Sequence, residues 1–226
     1  MWALYLLIVI LAIIYLFLRK KNINKRLAKY NCEREKENAP KILYLRAFGI
    51  DGDDYSNSSV GILRLIPKEM ELALQLIKLN HHQIAVTNPH KYLPDIGFHR
   101  KSFSDETWQD EVIKLLNESK FIIYRSGTTP GLLWEVEKIF ELGYREKLVI
   151  WTDMGCANMK EIQRAKYNTF RNIMLENFNE TIPIYNPHKM FIISKSKNNW
   201  EAFLSIMNTP ISIDILNLKS LKGPFN

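Results

Sequence analysis

Apolar side chains are distributed along this chain in two regimes. From Met1 to Leu18 every residue is apolar or aromatic, with no polar face at any period, whereas beyond Pro40 short apolar runs alternate with stretches of helical spacing. The first regime predicts a single N-terminal transmembrane helix, because at 1.5 Å of rise per residue it reaches roughly 27 Å, close to the thickness of a hydrocarbon core. Trp2, Tyr5 and Tyr15 lie toward its ends, where amphipathic rings settle at interfaces, and Arg19, Lys20 and Lys21 follow at once. No charge precedes Arg19, so the positive start of a cleaved leader is missing, and Cys32 lacks the apolar, small-residue context of a lipid-modified cysteine. The expectation is an uncleaved single-pass anchor at residues 1–18, with the lipid bilayer as its partner and the C-terminal domain cytoplasmic.

The second regime predicts an α/β domain over residues 41–226. Ile42 to Phe48 reads as a buried strand, followed by a polar Gly/Asp/Ser-rich loop from Gly49 to Gly61. Pro67 opens a helix running to about Leu79, Gln83 to Thr87 is a short strand, and the stretch holding His90, Pro94, Gly97 and His99 is expected as a long loop. A helix striped by Trp108, Val112, Leu115 and Leu116 precedes the strand Phe121 to Tyr124. A turn through Ser126 to Gly131 leads to a helix from about Leu132 and to the strand Leu148 to Trp151. Met159 to Asn177 is expected as helix, Met190 to Ile193 as strand, and Trp200 to Met207 as a last amphipathic helix. Such alternation predicts a three-layer domain with a mostly parallel sheet, Rossmann-like or flavodoxin-like, whose ligands bind beyond the carboxyl ends of its strands.

Charge changes the picture only through its location. Of the formal net charge of +7, the segment Arg19 to Glu37 carries +5, from eight Lys/Arg against three Glu. A basic juxtamembrane linker at residues 19–40 explains that excess by adhesion to anionic lipid, so no nucleic-acid partner is expected. Cys32 and Cys156 form no paired framework, which fits a reducing compartment.

Candidate chemistry gathers in SGTTPGLLWEVEKIFELG, Ser126 to Gly143, where a small-residue loop runs into a helix. Backbone amides there suit an anion. Leu132, Leu133, Val136, Ile139 and Phe140 make the buried stripe of that helix, which places Glu135 at its edge near a ligand mouth. A carboxylate at that position can orient a ribose hydroxyl or stabilise positive charge on a sugar during N-glycosidic cleavage, although an acidic residue in a first helical turn also complements the helix dipole. Ser126, Thr128 and Thr129 equally suit turn and cap roles. Asp51, Asp53 and Asp54 offer oxygen ligands for Mg²⁺ without the spacing of a calcium loop. His81, His82, His90, His99 and His188 lack zinc spacings with Cys156, so surface histidines and no metal are the expectation. There is no Walker loop, nucleophile elbow or complete GxGxxG motif.

Gly127 and Thr128, then Glu135, then Gly143 eight residues on, then the strand Leu148 to Trp151, with Trp108 in the preceding helix, resemble the Toll/interleukin-1 receptor (TIR) and nucleoside deoxyribosyltransferase group. Many members of that group cleave NAD or exchange bases on nucleosides. The resemblance implies Glu135 as the catalytic carboxylate, Arg46, Phe48 and Asp51 as nucleotide contacts, and Ser126, Gly127, Thr128 and Thr129 as a nucleotide-binding loop. Ser126 stands where the deoxyribosyltransferases usually carry an aspartate. NAD or a related nucleoside is then the implied substrate, and no cofactor is assigned. The competing expectation is a non-catalytic, membrane-tethered signalling or scaffold module that self-associates as a homo-oligomer through the same domain.

Overall fold

A computed structural model describes residues 2–47, 68–87, 97–152, 160–186, 191–196 and 198–203. Its first element, α1, is one unbroken helix of 35 residues, Trp2–Lys36. No boundary falls at Leu18, and the expected linker at 19–40 is helical as far as Lys36. The reason lies beneath its charge: Ile23, Leu27, Tyr30, Asn31 and Arg34 recur at helical spacing and turn toward the domain. Leu27 is fully buried and shares a core cluster with Met70, Ala73 and Leu76. The Tyr30 hydroxyl reaches the carbonyls of Ile77 at 3.2 Å and His81 at 3.0 Å. Asn31 donates to the Gly97 carbonyl at 3.1 Å and accepts from the Gln83 amide at 3.1 Å. Gly97 has a φ of 86°, and a Cβ there would come within 2.6 Å of Leu27 Cδ1, so glycine is what lets α1 lie so close.

Among the described residues, the other half of α1 leaves its large apolar side chains exposed. Leu4, Leu7, Leu11, Ile14 and Leu18 are exposed together with residues on every other side of the helix. Among the described residues, however, no helix is long and apolar enough to cross a membrane. The apolar run from Trp2 to Leu18 spans about 25 Å of helix against a hydrocarbon core of about 30 Å.

Seven strands form one sheet, in the order β3-β2-β1-β4-β5-β6-β7. The strands are β1 (Lys41–Leu45), β2 (His82–Thr87), β3 (His99–Ser102), β4 (Ser119–Arg125), β5 (Leu148–Trp151), β6 (Phe191–Ser196) and β7 (Asn199–Phe203). β1 to β5 are parallel, while β6 and β7 add an antiparallel edge. The fold class is thus α/β with a mostly parallel, mixed sheet, consistent with a Rossmann-like fold. One sheet face packs against α1 and α2 (Lys68–Leu76), the other against α3 (Trp108–Glu118), α4 (Pro130–Glu141) and α5 (Lys160–Phe178). Two local expectations are overturned. Trp200 begins no helix, because NWEAF pairs as β7 with β6 and buries Trp200. His99, expected in a loop, opens β3, whose HRKS sequence hides a strand that β2 pairs on its inner side.

Candidate functional site

The chain moves outward from β1 to β2 and β3, then returns to place β4 on the other side of β1. This reversal is a topological switch point, and in such sheets the crevice opens at the carboxyl ends of the two strands involved. Those ends are marked in the sequence by the same device, an apolar run closed by arginine: ILYLR in β1 and FIIYR in β4.

Alternation then sorts the side chains between the two faces. Tyr44, Trp151 and the start of α2 meet on the face covered by α1. There Arg125 bridges Glu69 with Nη1 to Oε1 at 2.5 Å and lies 5.4 Å from the Trp151 ring centroid. Both partners are buried, so the pair is shielded from solvent. Arg46 is buried as well, and its charge, with those of Glu69 and Arg125, acts on the Tyr44 phenol; burial pushes that phenol up and is the largest influence on it. Arg125 and Glu69 are missed by the motif reading, although the repeated strand-ending arginine is a signal for the first.

On the opposite face Ala47, Tyr124, Leu132 and Val136 share the other core cluster. Ser126 and Gly127 follow β4, and Ser126 is tied to β5 through its amide and the Trp151 carbonyl at 2.9 Å. Thr129 is the N-cap of α4 with extended backbone and makes no side-chain cap bond, Pro130 sits in the first turn, and Thr128 is exposed. A Cβ at Gly127 would lie 2.8 Å from Leu132 Cδ1, so the loop hugs the first turn of the helix. The Tyr124 hydroxyl lies 3.4 Å from the Gly127 carbonyl and 3.3 Å from that of Leu132, bracing loop and helix together.

Glu135 is 2% exposed, not at an open mouth as expected, because its position on the wheel falls between Leu132 and Ile139. Burial alone pushes its carboxyl up to about 8, so the neutral acid predominates near pH 7. Its charge in turn raises the Tyr124 phenol, whose own burial is the larger cause. Oε2 of Glu135 is buried with no hydrogen-bond partner among the described residues. Glu180 shows what a structural carboxylate looks like in this fold. Fully buried, it is met by the Arg145 guanidinium, by the Asn198 amide at 3.2 Å and by Trp200 Nε1 at 2.9 Å. A buried carboxyl lacking such donors costs stability, and raised pKa values of this kind concentrate at functional sites.

The structure therefore brings Glu135, Ser126, Gly127 and the Thr128–Thr129 cap into one region and sets Arg46 on the other face of the same edge. Phe48 and Asp51, with Asp53, Asp54 and Cys156, lie outside the described residues. No family model, curated protein or solved structure matches the chain. The likeness to the TIR and deoxyribosyltransferase group accordingly rests on the motif residues alone.

Two of the histidines depart from the surface positions expected of them, while His90 and His188 lie outside the described residues. His81 and His82 are buried. His82 Nε2 lies 2.9 Å from His99 Nδ1, at the opening residues of β2 and β3. Burial, followed by the neighbouring His99, pushes His82 down to about 4.

Proposed function

We propose that this protein is a membrane-tethered nucleotide-binding domain that cleaves an N-glycosidic bond of NAD or a related nucleoside, with Glu135 as its critical carboxyl. The observation that carries the reading is Glu135 itself, a buried carboxyl whose Oε2 has no partner among the described residues, set behind a glycine-containing loop at the switch-point edge. A structural role favours donors around a buried acid, as at Glu180; a catalytic role favours an acid held in reserve. On cleavage, positive charge builds on the ribose, and the ionised carboxylate stabilises it at low cost in reorganisation. A ligand with a cationic base lowers the pKa of Glu135 as it binds, so its proton is released to solvent and binding is coupled to activation of the carboxylate. The amides opening α4 suit the ligand's phosphates.

Tethering is supported by α1. Its N-terminal half is apolar on every side and, among the described residues, leaves its large apolar side chains exposed, which favours burial in lipid with Arg19, Lys20 and Lys21 at cytoplasmic headgroups.

NAD consumption by the full-length protein in lipid vesicles tests the enzymatic reading. Wild type should turn over NAD, and Glu135→Gln should lose about 10²–10⁴-fold in rate. The kcat/KM of wild type should climb with pH toward about 8, as the ionised carboxylate forms in the free enzyme. Equal turnover by Glu135→Gln would remove Glu135 from the chemistry, and no turnover by either protein would leave the self-associating scaffold in its place.

A further inference from the structure

At the opposite edge of the sheet, away from Glu135, three side chains converge from elements far apart in the chain. Glu35 comes from the last turn of α1, His82 opens β2 and His99 opens β3. One potential ligand atom from each lies within 4.8 Å of the others. His82 Nε2 and His99 Nδ1 are 2.9 Å apart, and His99 Nδ1 is 3.7 Å from Glu35 Oε2. A tetrahedral zinc with bonds of about 2.0–2.1 Å holds its donors about 3.3 Å apart, a value that these two separations bracket. The Glu35–His82 separation is bounded by the same 4.8 Å, so side-chain rotations that move the donors by about 1 Å bring all three onto one ion.

We propose that Glu35, His82 and His99 form a binding site for a divalent transition ion of the zinc class. Two imidazoles and one carboxylate are a donor set typical of zinc, and nitrogen donors disfavour Mg²⁺ and Ca²⁺. The surroundings suit the assignment. Lys101 Nζ is 3.6 Å from Glu35 Oε1, the oxygen not aimed at His99, so it holds the carboxylate in orientation from outside the ligand set. The nearby Lys41 is ion-paired with Glu118 and so partly neutralised. A cleft of about 570 Å³ lined by Asn31, Glu35, Gly97 and His99 gives access from solvent and leaves room for water as fourth ligand. The inference is independent of the reading of Glu135.

The site has a clear mechanical meaning. Its three ligands come from the end of the long helix, from an inner strand and from the edge strand β3. A bound ion would fasten α1 to the sheet at the helix end opposite its apolar half, coupling metal binding to the seating of α1.

The test uses tag-free, metal-stripped full-length protein in detergent, titrated with ZnCl₂ by calorimetry and with CoCl₂ by visible absorption. Wild type should bind one equivalent of zinc, show the intense visible bands of tetrahedral cobalt, and gain thermal stability with added zinc. Glu35→Gln, at an exposed position, and His99→Ala should retain the metal-free melting temperature yet bind zinc about 100-fold more weakly or worse. The proposal is overturned if wild type binds no zinc at micromolar concentration, or if Glu35→Gln binds as tightly as wild type.

Discussion

Replacing Glu135 by glutamine removes an ionisable group while keeping nearly the same shape, so its effect on stability isolates the cost of burying that carboxyl. In the folded protein the group titrates near 8, against 4.5 in an unperturbed chain. A native value raised above the unfolded one means that the folded state holds the proton more tightly. The stability this confers is complete below pH 4.5 and is lost as pH rises through about 8. A difference of about 3.5 units at about 1.4 kcal/mol each sets the full loss near 5 kcal/mol, most of it between pH 5 and pH 8. Glutamine has nothing to lose over that range. Urea unfolding of both proteins in the same detergent at a series of pH values should give similar midpoints near pH 5. The gap should then widen steadily in favour of Glu135→Gln up to about pH 9, by about 3–5 kcal/mol. A gap that stays constant with pH would refute the reasoning, because the Glu135 carboxyl would then be ionised and satisfied in the native state.

Three further outcomes follow from contacts elsewhere. Gly97→Ala forces a side chain onto a left-handed backbone and against Leu27 and Ala73, and chemical denaturation should show a loss of about 2–4 kcal/mol; a loss below about 0.5 kcal/mol would mean that α1 does not press on this loop. Glu69→Gln removes the carboxylate that bridges the buried Arg125 guanidinium and should cost about 3–5 kcal/mol, whereas the double change Glu69→Met with Arg125→Met should be far milder; equal losses would contradict a shielded pair. Placing aspartate at both Leu7 and Leu11 costs about 2.5–3.5 kcal/mol per site in lipid, so in vesicle flotation the wild-type chain should rise with the lipid and the double variant should remain behind; flotation of both would detach α1 from the bilayer.

The inner strands were legible because β1, β2, β4 and β5 are apolar runs bounded by turn residues, and a buried parallel strand has little freedom to look otherwise. β3 was not, since an edge strand gains its hydrogen bonds from one neighbour and can be polar throughout. Trp200 and Phe203 are three residues apart, which suits a helical stripe as readily as strand ends, and only pairing with β6 decides the matter. In residues 19–36 the eye follows eight basic side chains, while the stripe from Ile23 to Arg34 that docks the helix is written in few residues. At the switch-point edge, the local motif Ser126 to Glu135 could be read along the chain because loop and helix are contiguous. The burial of Glu135 follows its place on the wheel between Leu132 and Ile139, whereas the meeting of Arg125 with Glu69 across 56 positions depends on tertiary packing and leaves no periodic trace. His82 and His99 likewise become neighbours only through the parallel register that sets Ile84 against His99.

The direction of α1 limits who can reach the crevice. The helix ends beside the strands' first residues, crosses the sheet against their direction, and so leaves the domain on the side of their carboxyl ends, where β1 and β4 part. From Leu27, still seated in the core, to Leu18 is nine residues, or about 13 Å of rise. If the apolar half of the helix lies in lipid, as proposed, the carboxyl edge of the sheet would look onto the bilayer across a gap of roughly that height. Under that proposal a nucleotide would enter such a slot edge-on and a folded protein would not, so the membrane would serve as the outer wall of the site and select for small, soluble ligands.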